Sequence, residues 1–220
     1  MKNQLKIIKN RKEMNLVERI DVLNNYGVHL PTATIYIAGE IDANLATALR
    51  FKYHMIKDFY KEEKEPLHEI NIVMNSCGGD ASAIASVLDF YEELEKYDKV
   101  KVNVQVEGNC MSAATFILGG ATGHRKANKR CRLMVHEIQI EGMGGTHTQT
   151  KAFQTELNRM QDECYELYAQ FSFRNDRAEG KDPSKEDFEA RVKMWEKLST
   201  KETYLGVERA LELGLIDEII

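Results

Sequence analysis

The chain has 220 residues, of which 43% are hydrophobic and 30% charged, and its formal net charge is −5 at pH 7. A chain of this length buries one substantial core and does not require a second domain. The negative charge gives no electrostatic reason to expect nucleic acid as the main partner, and no apolar stretch approaches membrane-spanning length.

The N-terminus and the cysteines indicate the compartment. The sequence begins with a charged segment that no apolar stretch follows, so we expect no secretory signal. The four cysteines lie far apart without a C-x-x-C pair, which favours reduced thiols in a cytoplasmic protein. The six histidines are scattered, so no metal site is predicted, and we expect no other cofactor.

Strands and helices are predicted in alternation along the chain. Residues 1–31 form a polar N-terminal segment that ends at Pro31, and residues 32–220 form a single domain. The predicted strands are 34–39, 69–74, 100–106, 132–140 and 215–219; the predicted helices are 42–61 with Asp42 as N-cap, 80–97, the run after Ser112, 149–173, a helix from the cap Ser184 toward Lys197, and one through 210–213 that Gly214 terminates. This alternation implies an α/β fold with crossover connections.

Residues 125–132 form a local basic run, with the basic side chains Arg125, Lys126, Lys129, Arg130 and Arg132. A phosphate-binding face normally recruits positive charge from several elements of a fold. We therefore interpret this run as a solvated loop.

Three segments carry the candidate chemistry. Ser112 stands among small residues where a strand gives way to a helix, the Gly78-Gly79 turn closes the preceding strand, and His136 ends a later apolar strand. A nucleophile needs a base within hydrogen-bond reach and amide donors directed at the developing oxyanion. One glycine amide would pair with the Ala113 amide as the oxyanion hole, and the sequence leaves open which glycine donates. This order favours a serine hydrolase.

Each of these residues also has a structural explanation when taken alone. Ser112 could cap a helix, the diglycine could serve only a tight turn, and a histidine in apolar company is more often a buried polar residue than a base. The three segments together favour the catalytic interpretation, and the pKa of an unperturbed histidine suits a general base.

At these residues the sequence resembles the proteolytic subunit of the Clp protease, within the wider Clp/crotonase fold. That family typically shows an Asn-Ser-Pro-Gly-Gly turn, a Gly-x-Ala-x-Ser segment, a Met-Ile-His strand and a C-terminal signature. The corresponding segments here are 75–79, 108–112, 134–136 and 202–217. The resemblance runs from about Ile35 to the C-terminus.

The resemblance implies more than the residues show by themselves. It implies a spiral of β-β-α units with a protruding handle helix at about 149–173, and an axial entry gate formed by the N-terminal segment. It also implies Glu202 as the acid that orients His136. The implied protein is a serine endopeptidase that degrades unfolded polypeptide inside a homo-oligomeric ring, a heptamer or double ring, with an AAA+ unfoldase as partner.

Departures from the family pattern leave alternatives open. Cys77 replaces the usual proline, Ala113-Ala114 replaces Met-Gly, and Glu202 replaces aspartate. The stretch between His136 and Glu202 is longer than is common in bacterial subunits, which indicates a viral or divergent member. The alternatives are a phage capsid-maturation protease, a catalytically silent ring subunit and a crotonase-like acyl-CoA enzyme, and the Ser112/His136 pair disfavours the last.

Overall fold

The computed structural model describes residues 16–140, 142 and 144–220. The described helices are α1 (Leu16–Tyr26), α2 (Leu45–Glu63), α3 (Ala83–Glu93), α4 (Ala113–Gly119), α5 (His147–Ser172), α6 (Arg174–Ala178), α7 (Lys185–Ser199) and α8 (Val207–Glu212). The described strands are β1 (Val28–His29), β2 (Thr34–Ala38), β3 (Glu69–Ser76), β4 (Lys101–Met111), β5 (Arg125–Ala127), β6 (Arg132–Val135), β7 (Thr203–Leu205) and β8 (Glu218–Ile219). Among the described helices, none is both long and apolar enough to cross a bilayer.

The sheet is mostly parallel and branches at β4. Its main path has the order β1-β2-β3-β4-β5-β8, and β6 pairs with the end of β4 and with β7. Only β1–β2 and β6–β7 are antiparallel pairs among the described strands. Residues 104–106 of β4 pair with β5, and its last three residues, 109–111, pair with β6. This branch carries the end of β6 to the same edge of the sheet as the end of β4.

Alternation of apolar residues explains the central strands. Ile70, Ile72 and Met74 of β3 are fully buried, as are Val102 and Val104 of β4. Because successive strand residues point to opposite faces, this spacing directs one row of each strand into the core. Helices α2 and α3 cover that core with buried side chains that include Leu49, Ile56, Val87 and Phe90. The predicted α/β class with parallel crossover pairs is confirmed.

Helix α5 is divided between an exposed and a buried half. Residues 147–156 are exposed, whereas Cys164, Tyr168 and Phe171 in the second half are buried. A Thr146–Gln149 capping box begins the helix, which stabilises its N-terminal turn without help from the core. The spiral arrangement and the role of this helix in assembly remain predictions.

The basic run was interpreted wrongly at Arg125. This side chain is fully buried in β5, where it bonds the Asp217 carboxylate and donates to the Phe171 carbonyl at 3.0 Å. Because a buried charge requires a partner, Asp217 is what allows an arginine at a core position of the sheet. Lys129 and Arg130 are exposed, as the solvated loop requires.

Several element boundaries differ from the prediction: for example, β4 continues to Met111 and β8 begins only at Glu218. Asp42 is not the N-cap of α2: its carboxylate accepts the Asn44 amide at 2.7 Å, and the helix begins at Leu45. Strand β6 ends at Val135 rather than at residue 140. Residues 1–15 of the predicted N-terminal segment lie outside the described residues, and the rest of that segment contains α1 and β1.

Candidate active site

Three parallel strands end at one edge of the sheet and deliver the candidate residues to one cleft. Strand β3 leads into Gly78, β4 into Ser112 and β6 into His136. Sites of open α/β sheets lie at the carboxyl ends of strands. The cleft has a volume of about 1070 Å³, and its lining includes all six predicted site residues: Gly78, Gly79, Ser112, Ala113, His136 and Glu202.

Ser112 adopts a backbone conformation that is rare for a residue with a side chain. It stands at the N-terminal end of α4 with φ 53° and ψ −129°. Such conformations persist only where the surroundings fix them. The Ser112 amide donates to the Met134 carbonyl at 2.8 Å, and the Ser112 carbonyl accepts the Thr115 amide at 2.9 Å. The sharp turn therefore presents the serine side chain at the start of a helix, inside the cleft.

The two glycine amides of the turn differ in their hydrogen bonding. The Gly78 amide donates to the Ser76 hydroxyl at 3.1 Å, and the Gly78 carbonyl accepts the Ile41 amide at 2.9 Å. Among the described residues, no acceptor bonds the amide of Gly79 or that of Ala113. The structure thus leaves Gly79 and Ala113 with N–H groups that are free to bind a ligand oxygen at this end of the cleft.

Close packing explains why the turn requires glycine at residue 78. Gly78 has φ +98°, and a Cβ atom there would lie 2.7 Å from the Met111 carbonyl oxygen and 3.2 Å from the Ala113 nitrogen. Any larger residue would displace the start of α4. The diglycine turn and the serine turn are therefore one packed unit.

His136 lies one step beyond the β6–β7 ladder. Met134 pairs with Tyr204 and Val135 with Thr203, so continuing the antiparallel register places His136 opposite Glu202. Residues directly opposite each other in an antiparallel pair share a face, with Cβ atoms about 4.5–5.5 Å apart. The pairing of β6 with β7 therefore places the ends of two segments that are far apart in the sequence beside each other.

The three residues of the predicted triad form no hydrogen bonds with one another in this structure. The Nδ1 atom of His136 is buried and has no hydrogen-bond partner among the described residues. Glu202 is exposed, and within that part of the chain His136 forms no ion pair with it and no hydrogen bond with Ser112. Catalytic hydrogen bonds often tighten only in the substrate complex.

The segment after His136 leaves the sheet and is held by tertiary contacts. The Glu137 amide donates to the Ser199 carbonyl at 2.9 Å, and the Ile138 amide donates to Gln161 Oε1 at 2.6 Å. The Glu137 carboxylate accepts the Tyr165 hydroxyl at 3.0 Å. Glu137, the acid next to His136 in the sequence, therefore already accepts a hydrogen bond from Tyr165. Glu202 is then the acid opposite His136.

The lining of the cleft combines an apolar wall with acidic groups. The apolar side chains include Phe116, Met134, Ile138, Leu157 and Met160, and the acidic ones are Glu40, Asp80, Glu137 and Glu202. No lysine or arginine is among the described lining residues. Hydrogen bonds from the Ser82 side chain and amide lower the pKa of Asp80, which keeps this carboxylate charged well into mildly acidic solution.

Cysteines and metal ligands add little to the site. The exposed Cys77 lines the cleft beside the diglycine turn, and the cleft also touches Cys164. Burial raises the pKa of the Cys164 thiol to about 12, so this thiol stays protonated. In the described part of the chain, no group of three or more His, Cys, Asp or Glu side chains is placed to hold a metal ion.

Sequence reasoning missed residues that hold the site in place. Thr115 donates its hydroxyl to the Ser112 carbonyl at 2.6 Å, and Tyr168 lies within 2.6 Å of the same hydroxyl. Thr115 is three residues after Ser112, a spacing at which a threonine side chain reaches back to a carbonyl. The contribution of Tyr168 carries no local sequence signal, because it comes from α5.

A serine turn, a strand-end histidine and two unbonded amides in one cleft are features that an acyl-transferring hydrolase requires. Residues 18–220 match the family model described as Clp protease. Since this match covers most of the chain, the chain belongs to the Clp protease family and is a Clp-type peptidase domain. The resemblance derived from the motifs is confirmed.

Proposed function

We propose that the chain is a serine endopeptidase with Ser112 as nucleophile, His136 as general base and Glu202 as the acid that orients it. The observation that carries this proposal is the strained Ser112 turn, which lies in one cleft with His136 and with the unbonded amides of Gly79 and Ala113. A strained nucleophile turn beside unbonded amides is expected of a site that binds an oxyanion.

The proposed reaction follows from these positions. Ser112 Oγ attacks the scissile carbonyl carbon as His136 takes its proton, and the carbonyl oxygen becomes an oxyanion that the Gly79 and Ala113 amides bind. The C–N bond then breaks, and His136 returns the proton to the leaving amine. A water molecule then attacks the acyl-enzyme as His136 takes its proton. The bond between the acyl carbon and Ser112 Oγ breaks, His136 returns the proton to Oγ, and the product leaves as a carboxylic acid that ionises in solution.

The lining of the cleft indicates the substrate. An apolar wall suits a peptide with an apolar side chain near the cleaved bond, and acidic groups disfavour peptides rich in aspartate or glutamate. Unfolded polypeptide supplies both an extended backbone and exposed apolar side chains. We therefore propose unfolded protein as the substrate.

Assembly into a ring is the second part of the proposal. Proteins of the Clp protease family generally form oligomeric rings with AAA+ partners. We propose a homo-oligomeric ring, a heptamer or double ring, that encloses the cleft in a cytoplasmic chamber and receives substrate from an AAA+ unfoldase. The exposed first half of α5, with Phe153 43% exposed, supports a role for this helix in contact between rings.

A catalytically silent ring subunit is the second candidate. The unpartnered Nδ1 atom of His136 favours it, because a subunit whose triad residues are not hydrogen-bonded to one another could serve assembly alone. A capsid-maturation protease of the same chemistry is the other alternative, which the glutamate at residue 202 favours.

Labelling with a fluorophosphonate probe tests the proposal directly. The wild-type protein should be labelled and should hydrolyse a fluorogenic peptide, and Ser112→Ala should lose both activities. Ser82→Ala is the matched control, since Ser82 is an exposed serine that lines the same cleft. An unlabelled, inactive wild-type ring would identify the silent subunit. Labelling that Ser82→Ala removes and Ser112→Ala retains would exclude Ser112 as nucleophile.

A further inference from the structure

We infer that Thr115 and Tyr168 are positioning residues that hold the Ser112–Ala113 peptide so that the Ala113 amide points at the oxyanion. This inference rests on the proposed serine peptidase function. It assigns a role in the reaction to two residues that touch neither the substrate nor the nucleophile side chain.

Tyr168, Thr115 and the Ser112 carbonyl form a short chain of hydrogen bonds. Thr115 Oγ1 donates to the Ser112 carbonyl at 2.6 Å. A hydroxyl has one proton, so Thr115 cannot also donate to Tyr168. The 2.6 Å contact between the two hydroxyls therefore has Tyr168 as donor and Thr115 as acceptor. The relay runs from Tyr168 through Thr115 to the Ser112 carbonyl.

The Ser112 carbonyl and the Ala113 amide belong to one peptide unit. A peptide is planar, so fixing the direction of its C=O also fixes the direction of its N–H. The Ser112 carbonyl accepts both the Thr115 amide at 2.9 Å and the Thr115 hydroxyl. Hydrogen bonds in series polarise one another, so the relay also makes the Ala113 N–H a stronger donor to an oxyanion.

The residues of the relay are buried and are held by packing and hydrogen bonds. Thr115 is fully buried and Tyr168 is 1% exposed, and the Tyr168 ring stacks on Trp195 with centroids 4.7 Å apart. Trp195 Nε1 donates to the Ser172 hydroxyl at 2.9 Å, which in turn donates to the Tyr168 carbonyl at 3.0 Å. Burial also raises the pKa of Tyr168, which keeps its hydroxyl protonated as a donor.

The backbone conformation of Ser112 requires such support. Its φ of 53° lies in a region that costs about 1–3 kcal/mol for a residue with a side chain. Rotation of the Ser112–Ala113 peptide would relieve this strain and would turn the Ala113 N–H away from the cleft. A second acceptor bond at the Ser112 carbonyl opposes that rotation.

Thr115→Val tests the relay because it removes the hydroxyl and keeps the branched shape. Loss of a whole oxyanion donor lowers kcat by about 100- to 1000-fold, and a misdirected donor should cost less. We expect Thr115→Val to lower kcat by roughly 10- to 100-fold with KM within about twofold. Thr115→Ser keeps the hydroxyl and should restore most of kcat, and Tyr168→Phe should give a smaller fall than Thr115→Val.

Two further measurements separate positioning from stability. A peptide aldehyde binds as a hemiacetal that mimics the oxyanion, so its inhibition constant should rise by the factor by which kcat/KM falls. Thr115→Val leaves the Tyr168 hydroxyl without a partner, which destabilises the fold. Adding Tyr168→Phe should recover the unfolding midpoint while kcat stays low.

The possible outcomes distinguish this inference from the proposed function. Wild-type kcat and aldehyde affinity in Thr115→Val would overturn the relay and leave Ser112 as nucleophile. Recovery of kcat together with stability in the double variant would show a structural role only and would also overturn it. A wild-type protein without labelling or peptidase activity would overturn the proposed function and this inference with it.

Discussion

A Cβ atom on Gly78 would lie 2.6 Å from the Cβ atom of Ser112. The turn after β3 and the turn after β4 therefore touch through a position that has no room for one methyl group. Because real Cβ atoms do not approach this closely, any side chain at residue 78 must move Ser112 or the turn itself. The placement of Ser112 thus depends on a residue more than 30 positions earlier in the chain, about the length of one βαβ unit.

Gly78→Ala should lower peptidase activity by displacing Ser112 and the Ala113 amide together. We expect kcat to fall by about 100-fold or more, since both the nucleophile and an oxyanion donor move. The measurement is steady-state hydrolysis of a fluorogenic peptide. Gly144→Ala is the control, because no atom of the described residues lies within 4 Å of a Cβ built there. Full activity of Gly78→Ala would show that the turn adapts without moving Ser112.

Glu202→Gln should lower kcat far more than it raises KM. The carboxylate would accept the Nδ1 proton of His136 and stabilise the imidazolium, whereas an amide donates as readily as it accepts. We expect a loss of about 100-fold or more. Glu202→Asp keeps the charge and should retain partial activity or more. Wild-type rates for both variants from about pH 6 to pH 9 would show that Glu202 is only a surface charge.

Asp217→Asn should destabilise the fold by about 3–5 kcal/mol, because it leaves the fully buried Arg125 without its counter-charge. Chemical denaturation measures the effect. Glu218→Gln is the control: it removes the ion pair between the half-exposed Glu218 and the partly buried Lys126, and should leave the unfolding midpoint nearly unchanged. Equal stability of Asp217→Asn and the wild type would show that Arg125 finds another partner.

The same ion pair predicts how stability depends on pH. Burial acts to raise the pKa of Asp217, but its hydrogen bonds and charge interaction with Arg125 outweigh burial, and the pKa is lowered overall. A lowered folded-state pKa gives stability that is present above the unfolded value of about 3.9 and is lost as the pH falls. The advantage of wild type over Asp217→Asn should therefore be full at neutral pH and shrink below about pH 4.

Acidic substitutions at Phe153 and Leu157 should weaken contact between rings. Both residues belong to the more exposed half of α5, where new charges would be costly to bury in an interface. Sedimentation of the Phe153→Glu/Leu157→Glu variant should show smaller assemblies than the wild type. Gln154→Glu/Asn158→Glu adds the same charge at the same spacing on an adjacent face and should preserve the large assembly. Equal dissociation of both variants would indicate nonspecific charge repulsion.

The sequence predicts the parts of the fold that local patterns determine. Ser184 caps α7 through the Asp187 amide, as predicted, and Gly214 follows α8 with φ +73°. Apolar alternation located β3 and the first part of β4. These features depend on residues within one or two turns of each other, which is why a single sequence reveals them.

The remaining features depend on contacts between distant residues. Strand β6 ends early because Ser199 and Gln161 bond the amides that would continue it. Arg125 is buried because Asp217, 92 residues later, bonds it. The proposed pairing of His136 with Glu202 depends on β7 lying beside β6, and only the family resemblance pointed to it. Sequence reasoning also left the two glycines equivalent, and the Ser76 hydroxyl distinguishes them.

The position of Cys77 makes the cleft accessible to spectroscopy. Of the four cysteines, three are buried, and only Cys77 is exposed, in the turn that leads to the unbonded Gly79 amide. A thiol-reactive fluorophore would therefore attach at one place without any engineered cysteine. Its emission would report each arrival and departure of a peptide in real time, including in the Ser112→Ala variant, where binding proceeds without cleavage.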